Sequence, residues 1–181
     1  MSKINKQVKE INMSIVVVGS SNTDMIIKVP HLPKAGETIL GGEFTKAAGG
    51  KGANQAVAAA RAGGKVKFIA KVGDDIFGES AIDGFREDGI DVAYVSKDAN
   101  APSGVAQIFV ADDGENCIAV ASGANAKLSK GDIDNAKDVI EAADVLLTQL
   151  ETPVETIFNA IDIAREYGKT VILNPAPALP L

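Results

Sequence analysis

Three glycines and a lysine crowd into Ala48-Gly49-Gly50-Lys51-Gly52-Ala53-Asn54, immediately before an alanine-rich stretch. Glycine permits close backbone approach or a positive φ, and lysine brings a mobile positive charge. If the alanines form a helix, Gly50, Lys51 and Asn54 sit at its mouth. Exposed N–H groups and the helix field there suit a small polyol or a phosphate. The motif is not a Walker A loop, because Gly52 rather than Ser or Thr follows Lys51, and it is not a G-x-G-x-x-G fingerprint. The competing explanation is a glycine-rich helix entry packed closely on a sheet. Asn22 and Asp24 follow the apolar run Ile15-Val16-Val17-Val18-Gly19. An amide and a carboxylate there could bind sugar hydroxyls, or form an Asx turn at a strand end. Glu151 follows another apolar run and Gln149. It could bind a hydroxyl or stand on the surface beside a helix cap. Asp74 and Asp75 read as caps of the following helix rather than metal ligands.

The elements that would position these residues alternate between strand and helix. Ile15–Gly19, Val66–Ala70, Val92–Val95, Val145–Leu147 and Val171–Leu173 read as buried strands. Helices are predicted over Gly52–Ala62, after Asp75 with Phe77, Ala81, Ile82 and Phe85 on one face, from Ser129 to Ala143, and up to Tyr167. Ser129 with Asp132, and Thr152 with Glu155 and Pro153, look like capping signatures. The fold class is therefore α/β: an open, mostly parallel, Rossmann-like sheet flanked by helices. Ligands in such folds gather beyond the carboxyl ends of the strands, which selects Asn22 to Asp24, Gly73-Asp74, Gln149 to Glu151 and Asn174. Two stretches break the rhythm. Gly104–Ala121 reads as a hairpin around Asp112-Asp113-Gly114, and Met25–Phe44 is irregular and strand-like. Together they would form a small β-sheet lid near 25–44 and 104–121.

Bulk properties narrow the function classes. A net charge of −6 over 181 residues argues against nucleic acid. No apolar run reaches the ~20 residues needed to cross a bilayer. Residues 1–12 form a mixed polar extension without a signal-peptide core, so a cytoplasmic protein is expected. The single cysteine, Cys117, excludes an intramolecular disulfide, and its apolar strand setting predicts a buried, inert thiol. The single histidine, His31, is predicted on the surface and cannot build a multi-histidine metal site.

Taken together, Gly19–Asp24, Pro33–Thr38, Gly49–Ala56, Lys71–Gly78 and Asn174–Ala178 resemble the N-terminal signature regions of the ribokinase/PfkB family of carbohydrate kinases. The resemblance spans residues 13–181 and is closest to the ribokinase branch. It implies a pentose site in which Asn22 and Asp24 bind hydroxyls, Gly50, Lys51 and Asn54 hold the ring, and Glu151 completes the pocket. It implies ATP-dependent phosphorylation of D-ribose at O5, with Mg²⁺ and a monovalent cation such as K⁺, and a homodimer paired through the lid. The family's catalytic aspartate, in a Gly-Ala-Gly-Asp-type motif, and its nucleotide and monovalent-cation loops have no counterpart here. No catalytic or metal residue is therefore assigned within these 181 positions, and the ATP and monovalent-cation sites are expected outside them. The chain is expected to lack the ATP-binding half and to be inactive as a kinase by itself. A non-catalytic sugar-binding module, or a module that dimerises through the lid, is the alternative.

Overall fold

The computed structural model describes residues 13–40 and 42–179. The polar extension 1–12 and Gly41 lie outside the described residues. Five strands build the main sheet: β1 (Ser14–Val18), β4 (Lys65–Gly73), β5 (Val95–Asp98), β8 (Val145–Thr148) and β9 (Thr170–Leu173). Their order is β5-β4-β1-β8-β9, and every pairing is parallel. Parallel strands need crossovers, and the crossovers carry helices that cover both faces.

Strand periodicity divides the core. Val16 and Val18 point to one face of β1 and join Ile69, Leu146, Ile133, Ile140 and Ala160. That layer is closed by α3 (Lys130–Asp134), α4 (Lys137–Ala142) and α5 (Val154–Glu166). Val17 points the other way, to Ala53, Ala56, Phe68 and Phe85, beneath α1 (Lys51–Arg61) and α2 (Ile76–Glu87). Phe68 and Phe85 meet edge to face at 5.1 Å, a favoured aromatic geometry.

A second sheet contains β2 (Asn22–Val29), β3 (Phe44–Gly49), β6 (Gly104–Ala111) and β7 (Asn116–Ala121), in the order β3-β2-β6-β7. β2 and β6 run parallel, and the outer pairs are antiparallel. The fold is thus a helix-flanked parallel sheet with a smaller mixed sheet beside it. No described helix is long and apolar enough to cross a membrane.

Several local expectations change. Asn22–Asp24 are not a turn: they open β2 and pair with Gly49–Ala47 and Gly104–Ala106. Ladder bonds on both sides outweigh the local Asx alternative. The helix predicted from Ser129 to Ala143 is two short helices separated at Asn135-Ala136, although the Ser129–Asp132 capping box forms. The Thr152 signature does not form: Pro153 occupies the N-cap position, and Thr152 Oγ1 has no partner. Asp75 caps α2 as predicted, accepting from the amides of Phe77 and Gly78. His31 is on the surface as predicted, beside Glu37. Cys117 is exposed rather than buried. It lies on β7, all of whose residues are exposed, because no helix layer covers this edge strand.

Candidate functional site

Four chain crossings join the two sheets, and the candidate residues cluster there. The first crossing, Gly19–Ser21, leads from β1 to β2. The second is Gly50, between β3 and α1, with φ of +92°. A Cβ at Gly50 would approach Asn22 N to 2.8 Å and Ser20 O to 3.0 Å. Only glycine allows the chain to turn into α1 this close to the first crossing.

The mouth of α1 differs from the sequence expectation. Its first four amides are all satisfied by the protein. Lys51 N donates to Glu151 Oε2 at 2.8 Å, and Gly52 N donates to Ser20 Oγ at 3.3 Å. Ala53 N reaches Ser20 O at 2.8 Å, and Asn54 N reaches Gly50 O at 2.9 Å. No open amide cradle remains for an anion. Instead the Glu151 carboxylate, delivered by the end of β8, occupies the positive end of the helix. Ser20 Oγ donates to Glu151 Oε2 at 2.6 Å, and Lys51 Nζ donates to Oε1 at 2.6 Å. Burial raises the Glu151 pKa, but the hydrogen bonds from the Lys51 side chain, Ser20 and the Lys51 amide together take it below the usual carboxylate range.

Asp24 is held differently. A Cβ at Gly49 would overlap its carboxylate, so the acid lies flat across the glycine that precedes the α1 mouth. Burial first, and the nearby charge of Glu151 second, push its pKa up, while Lys51 opposes them. Among the described residues no hydrogen bond stabilises this carboxylate. A half-buried acid without a partner is ready to accept hydrogen bonds from a ligand.

Asn22 is buried, and its Oδ1 accepts from Asn125 Nδ2 at 2.8 Å. Ser20, Asn22, Lys51, Asn125, Glu151 and Thr152 share the wall of a cleft of about 430 Å³. A second cavity, of about 330 Å³, lies on the other side of Asn22 between α1, α2 and β3. Its wall mixes Ala53, Val57, Phe77 and Phe85 with Lys46 and Ser80, and Arg61 and Asp88, which also line it, pair at 2.7 Å. The first cleft is the one that holds the Lys51–Glu151 pair.

The structure therefore gathers Asn22, Asp24, Gly50, Lys51 and Glu151 around one helix mouth. Asn54 is exposed in the first turn of α1, three residues after Lys51, and it lines neither cavity; nor do Asp24 and Gly50, which adjoin Gly49 and Lys51. Asp74 and Asn174 do not join the cleft: Asp74 pairs with Lys97 at 3.0 Å on the surface, and Asn174 N bonds Thr148 O. Sequence reasoning missed Ser20, Asn125 and Thr152. Ser20 was detectable as the residue directly after the glycine that ends the first strand. Asn125 lies in an irregular 3₁₀ turn, Gly123–Lys127, with no local signal. Among the described residues no group of three His, Cys, Asp or Glu side chains could hold a metal ion.

Comparison with known proteins decides the family. The pattern of pfkB family carbohydrate kinases matches residues 12–180. The chain belongs to the pfkB family of carbohydrate kinases. It is 44% identical over 167 residues to a deoxyribokinase of Salmonella typhi, covering 92% of this chain and 55% of that protein. It is 45% identical over 165 residues to a ribokinase of Haemophilus influenzae, covering 91% and 54% respectively. Among solved pfkB-type folds, Arabidopsis thaliana ribokinase complexed with ribose and ATP superposes with a TM-score of 0.79 at 32% identity, covering 90% of this chain and 53% of that one. This pfkB family chain spans about half the length of the curated relatives it matches.

Proposed function

We propose that this chain holds the sugar of an ATP-dependent pentose kinase that phosphorylates D-ribose at O5. The observation that carries the reading is the pair of unlike carboxylates at the α1 mouth. Glu151 already accepts three hydrogen bonds, from Ser20 and from the amide and side chain of Lys51, and keeps one Oε1 lone pair to complete the pocket, whereas Asp24 is half-buried and free to accept. A sugar hydroxyl donates one hydrogen bond and accepts others. Asp24 takes its proton side, Asn22 and Lys51 serve its lone pairs, and Gly49 and Gly50 let Asp24 and the first crossing close in on the α1 mouth where Gly50 and Lys51 hold the ring. Asn54 is assigned to the rim of the same pocket. Fixing the ring in one pose is this chain's part in phosphoryl transfer, where positioning supplies much of the rate.

The second sheet is proposed as the lid that excludes water over the sugar. The relatives, one a complex with ribose and ATP, support ribose as substrate and ATP as phosphoryl donor. Mg²⁺ and a monovalent cation such as K⁺ belong to the proposal for the whole enzyme. The described residues offer no cluster that fits a metal, and no step is assigned through one. No described residue is proposed as the catalytic base. A cytoplasmic setting and a homodimer built through the second sheet complete the reading.

Titration calorimetry with D-ribose and 2-deoxy-D-ribose tests it. Wild-type protein is expected to bind ribose, and Asp24→Asn to weaken that binding about tenfold or more, the worth of a charge-assisted hydrogen bond. A folded protein that takes up neither pentose would overturn the proposal. The alternative, a module that assembles without binding sugar, rests on the exposed apolar face of β7. It predicts assembly with no heat of ribose binding.

A further inference from the structure

Asn125 is 1% exposed and sits where the crossing from β7 returns to the main sheet. Its side-chain orientation is fixed by a backbone donor. Oδ1 accepts from Ser21 N at 2.8 Å. Reversing the amide would set two donors against each other. Nδ2 must therefore donate, and it does so twice, to Ser21 O at 3.0 Å and to the Asn22 side chain at 2.8 Å. The Asn22 atom facing a donor must be its oxygen. The order of donors runs from the Ser21 backbone through Asn125 to Asn22 without ambiguity. Among the described residues Asn22 Nδ2 makes no hydrogen bond, and it is not a sealed orphan. Asn22 lines both the cleft that holds Lys51 and Glu151 and the second cavity beside it. Gly104 keeps this junction small: a Cβ there would overlap both Asn125 Nδ2 and Asn22 Oδ1.

We propose that Asn125 is a positioning residue that locks the Asn22 amide with its NH₂ toward the cleft, making Asn22 an obligate donor to a sugar oxygen. The inference rests on the sugar-site reading above. It adds a basis for recognising a hydroxyl as such. Asp24 can only accept while ionised, and the locked Asn22 can only donate. A group that satisfies both must carry a proton and a lone pair.

Asn125→Asp keeps the acceptor for Ser21 N but sets an oxygen against Asn22 Oδ1, which favours the reversed Asn22 amide. Three readouts on the full chain separate the possibilities. In calorimetry with D-ribose, Asn22→Ala alone must weaken binding; if it does not, the sugar-site reading fails at Asn22. Asn125→Asp is expected to weaken ribose binding about tenfold or more in the wild-type background, and less than twofold when Asn22 is already Ala. An equal penalty in both backgrounds would show that Asn125 acts through general folding, and the inference falls. The third readout needs no sugar. The Asn22 side-chain NH₂ should give one rigid pair of ¹⁵N-correlated NMR signals in wild type, a pair at shifted positions in Asn125→Asp, where the amide is reversed, and a mobile or exchange-broadened pair in Asn125→Ser. Signals unchanged in both variants would overturn the locking whatever ribose does. Asn125→Ser, which removes the amide without burying a charge, carries the same comparisons if Asn125→Asp does not fold.

Discussion

The two sheets contain similar apolar strands in opposite surroundings. Ile15-Val16-Val17-Val18 in β1 and Cys117-Ile118-Ala119-Val120 in β7 are both short apolar runs. Val16, Val17 and Val18 have no exposed surface, while Ile118 and Val120 are each 53% exposed. The difference is not in the strands. β1 lies between β4 and β8 and under helices on both faces, whereas β7 is an edge strand with no helix over it. An apolar run states that a strand needs cover. It does not state that the same chain supplies that cover. The candidate site occupies the seam between a sealed sheet and an open one, where a rigid support meets a surface free to take up a ligand or a partner.

Core truncation should separate the two sheets most strongly. Phe68→Ala removes a fully buried ring that packs on Phe85. A loss of ~3–5 kcal/mol is expected, from burial and from the cavity left behind. Phe44, on β3, is 63% exposed; Phe44→Ala should cost less than ~0.5 kcal/mol. Chemical denaturation of both variants checks the contrast. Similar losses would mean that the second sheet is as tightly supported as the first.

The seam gives effects of intermediate size, with opposite signs for its two acids. Glu151 is pulled below the usual carboxylate range although burial opposes this, because Lys51 and Ser20 hold its charged form. Its contribution to stability is present above the unfolded-state value of about 4.3 and is lost as pH falls through its lower folded value. Glu151→Gln should cost ~1–3 kcal/mol at neutral pH. The difference from wild type should shrink in acid. Asp24 is raised by burial and by Glu151. Its penalty is absent below about pH 3.9, where the acid is protonated in both states, and grows as pH rises through its folded value. Asp24→Asn should therefore raise the thermal midpoint at neutral pH by about 1–2 °C, with no gain in acid. Thermal melts from pH 3 to 8 decide both. A stability loss in Asp24→Asn at neutral pH would contradict a strained, ligand-directed acid.

Much of this arrangement was legible in the chain because it depends on local chemistry. Four of the parallel strands announced themselves as short apolar runs; the fifth, expected over Val92–Val95, is the polar edge strand Val95–Asp98. Asp75 announced its cap, and Gly49-Gly50 announced a close approach. The hidden parts depend on long-range closure. Glu151 reaches the Lys51 amide across 100 residues, so nothing near Lys51 reveals that the helix mouth is already filled. Asn125 reaches Ser21 and Asn22 across more than 100 residues from an irregular turn. Thr152 satisfies the letter of a capping signature, but it lines the cleft and Pro153 takes the N-cap position instead. Cys117 was misjudged because burial belongs to the fold, and the strand alternation around it carries no record of whether a layer lies above.

The smallest effect on folding falls on the open sheet, and there it separates two kinds of stability. Ile118 is half-exposed on an edge strand, so Ile118→Lys removes little packing within the chain and should change unfolding free energy by less than ~0.5 kcal/mol. Its effect on association should be larger. An exposed apolar edge is a template for pairing, and an inserted lysine is a device that blocks it. If a second copy covers β7, sedimentation should show weaker self-association for Ile118→Lys than for wild type. Cys117, next along the strand, should react with a thiol reagent in the separated protomer and be shielded in the assembly. Unaltered association together with a freely reactive Cys117 would leave β7 open in the assembled protein and place any dimer contact elsewhere. The contrast between the sheets would then be one of exposure alone, without the partner that the apolar face implies.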